Sequence, residues 1–215
     1  MGRCGTIATY FLYTEKAHLL MNKTVIYYAT GNRYKFLFSK NYIEKALSDV
    51  EVRHLAVDFP ERQTHDQEAI AHEKAALAYA QCKAPVLADD AGMYMDAYTN
   101  FPGFMAKFVY ESLGVKGLLT LAQDNNKASL KIFLAYCNGD EKQTFIGEQH
   151  GVLQAPESAI PADTGQPFNY LLVPSGAQKA FALLSEEEKA RVGSFRMFAL
   201  HAFVTWYTDK QTEAS

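Results

Sequence analysis

The sequence predicts an α/β fold on a mixed sheet, and two observations predict it. Apolar, β-rich segments alternate with segments of helical spacing, which implies parallel strands joined by crossover helices. The strand-like runs 130–136 and 143–148 are joined by Asn138-Gly139, a strong hairpin signal that adds antiparallel strands. At 215 residues, 48% of them hydrophobic, the chain can bury a full core as one domain, with room for two lobes around a cleft.

Val25 to Ala29 reads as a strand. Thr30-Gly31-Asn32 breaks it, and 34–47 has helical spacing with Phe36, Ile43 and Leu47 on one face. The helix start is an anion site in principle, with Lys35 about one turn in. It is not a Walker loop, since GxxxxGK[ST] is absent, and it also fits an ordinary turn in which Asn32 caps the helix. Residues 50–57 read as a second strand. Asp66 caps a helix from Gln67 to Cys82 that buries Ile70, Leu77 and the alanines and carries Lys74.

Leu87-Ala88-Asp89-Asp90-Ala91-Gly92 reads as a short buried strand, 86–88, that delivers two carboxylates to a turn at its C-terminal edge. Neighbours on a strand face opposite ways, so the two acids do different jobs unless the strand has already ended. One could hold a divalent cation while the other orients or deprotonates water. Asp and Gly are equally the ordinary vocabulary of loops.

Beyond Pro102-Gly103 comes Lys107 among Phe104, Met105 and Phe108, then a helix near 117–122. Residues 155–166 are a loop, and 168–173 a further strand. Ser185 to Glu188 is a capping box, and Ser194 caps a last helix whose stripe is Phe195, Phe198, Ala199, Ala202, Phe203 and Trp206. His65 and His72 lack metal-ligand spacing and read as surface or partly buried residues.

Composition excludes several classes. Net charge is −3 with interspersed signs, so no nucleic-acid polymer is expected as partner. No stretch is long and apolar enough to span a bilayer, and no stable membrane association is expected. Cys4, Cys82 and Cys137 form no CxxC pair and suit reduced cytoplasmic thiols, with the latter two in packing roles. Met1-Gly2-Arg3-Cys4-Gly5-Thr6 formally matches an acylation signal. The strand that follows Met21 instead suggests that residues 1–20 are a dispensable extension, 21–209 the domain and 210–215 a tail.

Together the motifs resemble the inosine triphosphate pyrophosphatase family, from Met21 to about His201. Thr30-Gly31-Asn32-Arg33-Tyr34-Lys35 is similar to its TGNxxK turn, and Asp58-Phe59-Pro60-Glu61 to its metal-glutamate segment. Lys74, the Asp89-Asp90 strand, Phe101 to Lys107, Glu188-Lys189 and Ser194-Phe195-Arg196 follow in family order. The resemblance implies an elongated two-lobed fold with a central twisted sheet, usually a homodimer, that hydrolyses non-standard purine nucleoside triphosphates (ITP, dITP, XTP) to monophosphate and pyrophosphate. It also implies Mg²⁺ as cofactor, held by Glu61, Asp89 and Asp90. On that resemblance Asp90 would position or deprotonate water, and Lys35 would be catalytic with it. The resemblance likewise implies that Thr30, Gly31, Asn32, Lys35, Lys74, Lys107, Phe168, Lys189, Ser194 and Arg196 contact substrate.

Departures cluster at the base. Gly165-Gln166-Pro167-Phe168-Asn169-Tyr170 replaces FGYDP and lacks its carboxylate, Phe195 replaces a histidine, and Phe38 stands where a glutamate is expected. Lys189 is one residue farther from Ser194 than the family spacing. Phe195 is either core or a stacking surface for a base. The same chemistry on another nucleotide, or a binding protein with little turnover, are the alternatives. An aspartyl-phosphate phosphatase is disfavoured because DxDx[TV] is absent.

Overall fold

The computed structural model describes residues 23–60, 62 and 64–213. The expected extension at 1–20, with its acylation signal, and the expected metal ligand Glu61 lie outside the described residues. The elements run β1 (Thr24–Ala29), α1 (Arg33–Ala46), β2 (Val50–Leu55), α2 (Gln67–Cys82), β3 (Val86–Met95) and β4 (Pro102–Gly103). Then come α3 (Ala106–Leu121), β5 (Lys127–Cys137), β6 (Lys142–Leu153), β7 (Leu172–Pro174), α4 (Glu186–Val192) and α5 (Phe195–Glu213). One sheet has the order β2-β1-β3-β5-β6-β7, with β4 on β3. β1 is parallel to β2 and β3, and every other pairing is antiparallel, so the sheet is mixed as the sequence predicts.

The local signals act as physical chemistry requires. Asn32 Oδ1 accepts from the Tyr34 and Lys35 amides, Asp66 from Ala69, and Ser185 and Glu188 close a reciprocal box. Four expectations are corrected. β3 does not stop at Ala88, because β5 pairs with it continuously from Val86 to Met95 and satisfies its backbone. The helix expected near 117–122 starts at Ala106, broken at Gly114, whose φ of 63° only glycine adopts easily. In place of a strand over 168–173, Pro167 opens a 3₁₀ turn to Tyr170, and only Leu172–Pro174 is extended. α5 continues through 210–213, residues expected as tail.

Two predicted stripes are also shifted. In α2 the buried arc centres on Ala71, Ala75 and Ala78, leaving Leu77 40% exposed at its margin. In α5 it runs through Phe195, Arg196, Ala199, Leu200 and Phe203, while Phe198 turns out against Gly193, and Ala202 is exposed.

The sheet has unlike faces. On one, Leu87, Met93 and Met95 of β3 join Ile26, Tyr28, Ile43 and Phe203 in the large core that involves α1, α3 and α5. On the other, Val86 and Ala88 meet Ala71, Ala75 and Ala78, so α2 lies close through small side chains. α5 crosses β6 at Gly147, where an added Cβ would stand 1.8 Å from the Phe195 carbonyl oxygen. Gly147→Ala is therefore expected to cost about 1–3 kcal/mol, read as a lower urea midpoint at unchanged slope.

Candidate active site

The site forms where the sheet has a gap. β1 pairs with β3 only as far as Ala29 opposite Ala88, and β4 joins the same edge of β3 only at Met93. Between them Asp89, Asp90, Ala91 and Gly92 keep β5 on one side and open onto a cleft of about 710 Å³ on the other. This edge lies beyond the carboxyl end of β1, where parallel strands place ligands. An added Cβ on Gly92 would stand 2.4 Å from the Gly103 carbonyl oxygen, so only glycine lets the two segments cross.

Because the strand has not ended, strict alternation separates the two acids. Asp89 shares the face of Leu87, toward α1 and α5, and its side chain is 0% exposed. It accepts from the Tyr28 hydroxyl at 2.6 Å and from Lys35 Nζ at 2.8 Å, with Arg196 Nη1 at 3.3 Å. Arg196 Nη1 also donates to the Tyr28 oxygen at 3.1 Å. Burial alone would push the Asp89 carboxyl up, but Arg196 and Lys35 outweigh it and hold the group well below the usual carboxylate range.

Asp90 shares the face of Ala88, toward α2. Its Oδ1 accepts from Lys74 Nζ at 2.9 Å and its Oδ2 from Gln67 Nε2 at 2.6 Å, with the side chain 8% exposed. Here burial wins and raises the carboxyl above its ordinary value, although Lys74 and Gln67 pull the other way. One acid is thus locked in a buried ion cluster, and the other is a cleft-facing carboxylate with raised proton affinity.

Of the predicted residues, Thr30, Gly31, Asn32, Lys35, Lys74, Asp89, Asp90, Lys107, Phe168 and Arg196 line one cleft. Asn32 is a staple as well as a lining residue: Oδ1 caps α1 and Nδ2 donates to the Gly165 carbonyl at 3.1 Å, tying the turn to the 155–166 loop. Lys107 is 85% exposed at the rim, with Glu111 at 3.9 Å. Arg196 is buried and its guanidinium serves Asp89 and Tyr28. Ser194 and Lys189 are not among the cleft-lining residues: Ser194 is buried and accepts from the Met197 amide, and Lys189 pairs with Glu186 at 2.8 Å. Phe195 is buried in the main core, as the first of its readings expects, and is also among the residues lining the cleft. Phe38 packs on the core and stacks with Tyr34.

Sequence reasoning missed Tyr28, Gln67 and Tyr110, and gave Asp58 no role beyond its place in the Glu61 segment. Gln67 had a signal, a polar residue on the same helical face as Ala71 and Lys74. Tyr110 supports Phe168 edge to face at 5.6 Å, and both line the cleft with Asp58.

The family follows from comparison. The profile of the Ham1 family matches residues 26–206. The chain belongs to the Ham1 family. Among its relatives are the dITP/XTP pyrophosphatases of Saccharolobus solfataricus and Methanopyrus kandleri. The first is 33% identical over 186 residues, 85% of this chain and 94% of the relative. The second is 31% identical over 186 residues, 85% and 95% of the two chains. The fold matches that of a Ham1 protein from Coxiella burnetii with a TM-score of 0.69, at 20% identity over 86% of this chain and 99% of that one. No helix among the described residues of this Ham1 chain is long and apolar enough to cross a membrane.

Proposed function

We propose that this Ham1 protein hydrolyses non-standard purine nucleoside triphosphates, dITP and XTP among them, to the monophosphate and pyrophosphate at the sheet gap. The observation that carries the reading is the cleft-facing Asp90 beside Lys74, with Lys35 and Lys107 lining the same cleft. Phosphoryl transfer needs alignment and charge neutralisation above all. Lys35, Lys74 and Lys107 supply positive charge to the triphosphate, and Phe168, Phe195 and Ile160 offer apolar surface to the base. As phosphate oxygens draw Lys74 away, Asp90 Oδ1 is freed to accept a proton from the attacking water. Asp89 holds Lys35 and Arg196 in place without reacting.

Among the described residues no group of three or more His, Cys, Asp or Glu side chains could hold a metal. Mg²⁺ does not need one, since it binds through one or two carboxylates plus phosphates and water. Asp90 fits that requirement once phosphate draws Lys74 from its Oδ1, Glu61 is its expected companion, and Asp89, the third expected ligand, has its side chain 0% exposed and held by Tyr28, Lys35 and Arg196. When bound, Mg²⁺ would neutralise charge developing on the leaving pyrophosphate. A homodimer in the cytoplasm is the accompanying expectation, which sedimentation of the purified chain checks for the assembly.

The test is a panel of dITP, XTP, dGTP and ATP with Mg²⁺, scoring pyrophosphate against orthophosphate. Pyrophosphate from dITP and XTP at rates well above the standard nucleotides is expected. Orthophosphate alone, or no product from any nucleotide, overturns the proposal. Lys107→Ala should raise KM for dITP about tenfold while changing kcat by less than about threefold, since it removes one charge-assisted contact worth about 1.5 kcal/mol.

A further inference from the structure

Behind Asp90 stands a pair of residues that the reaction as described does not use. Gln67 opens α2, is 2% exposed, and donates from Nε2 to Asp90 Oδ2 at 2.6 Å. The hydroxyl of Tyr94, on β3, donates to Gln67 Oε1. A side-chain amide has two ends of nearly equal size, one that donates and one that accepts. An ionised carboxylate accepts only, so a flipped amide would set oxygen against oxygen at Asp90.

Tyr94 removes that ambiguity by supplying a donor where Oε1 must lie. Burial, reinforced by Asp90 and Glu148, raises the phenol to about 12, so it keeps its proton at neutral pH. Lys131 Nζ lies 5.6 Å from the Tyr94 ring centroid and pairs with Glu148 at 3.1 Å, which anchors the ring. On the other side, a Cβ on Gly92 would stand 3.0 Å from Gln67 Nε2, so the amide sits in a slot that glycine keeps open.

We infer that Tyr94 and Gln67 are positioning residues for Asp90: the phenol fixes the amide, and the amide fixes the carboxylate, so that its remaining lone pairs face the cleft. This deepens the proposed hydrolysis, on which it rests, and it assigns no contact with substrate to either residue.

Tyr94→Phe, Gln67→Met and the double variant test it, assayed for pyrophosphate from dITP alongside ¹⁵N spectra of the side-chain amides. Each single change should lower kcat about 10- to 100-fold with KM within about twofold, as loss of an outer partner does. The double variant should be no slower than Gln67→Met, because Tyr94 acts through Gln67. Independently of turnover, Tyr94→Phe should speed solvent exchange of the Gln67 Nε2 protons. Additive losses in the double variant, a raised KM at unchanged kcat, or unchanged Gln67 exchange would each overturn the inference. A wild-type chain that releases no pyrophosphate defeats the hydrolysis reading instead, and the exchange measurement still decides this one.

Discussion

Asp90→Asn should lower kcat on dITP by about 10³-fold while the protein stays folded and still binds nucleotide. A positioned general base typically contributes about 10² to 10⁴ in rate, and the substitution removes the only role that demands a carboxylate's proton affinity. Stability should suffer little, because the amide is isosteric and keeps an acceptor for either Gln67 or Lys74. Pyrophosphate release, with nucleotide titration and a melting curve on the same preparation, checks the result. A variant with more than a tenth of the wild-type rate would remove Asp90 from the chemistry.

Asp89→Ala should instead damage the fold. It leaves Arg196, whose side chain is 4% exposed, without its carboxylate and strips Lys35 and Tyr28 of their shared acceptor. Breaking a buried pair from one side costs about 3–5 kcal/mol, which at this chain length lowers the melting temperature by roughly 10 °C. Lys35 loses its tether as well, so KM for the triphosphate should rise.

Acid tests the same cluster. The folded Asp89 carboxyl is held below its unfolded value of about 3.9. Its stabilising contribution is therefore fully present above that value and is lost as pH falls through the folded one. The stabilisation from Asp89 should be nearly independent of pH from pH 7 to pH 5 and decline below about pH 4. The gap between wild type and Asp89→Ala should narrow in acid. A gap that stays constant to pH 2 would contradict the assignment.

Much of this was legible in the letters because local chemistry decided it. Asn32, Asp66 and Ser185 each cap the helix that their spacing announces, and Asn138-Gly139 turns the hairpin from β5 to β6. Other features depend on partners far away in sequence. The length of β3 is set by β5, which carries the strand through Asp89-Asp90 where the local pattern suggests a turn. That continuation makes the two acids unequal, one facing Arg196 and Lys35, the other Lys74 and Gln67. Tyr28 looks like any strand residue until Arg196, 168 positions later, comes to rest on its hydroxyl. Ser194 and Lys189 follow a motif in order though not in spacing, and locally one caps α5 while the other pairs within α4.

A crystal structure of the Asp90→Asn protein with dITP and Mg²⁺ tests the central claim most directly. The triphosphate should lie along Lys35, Lys74 and Lys107, with its α-phosphorus nearest residue 90 and the base toward Phe168. Nucleotide bound outside the gap between β1 and β4, or seated with its γ-phosphorus beside residue 90, would contradict the account.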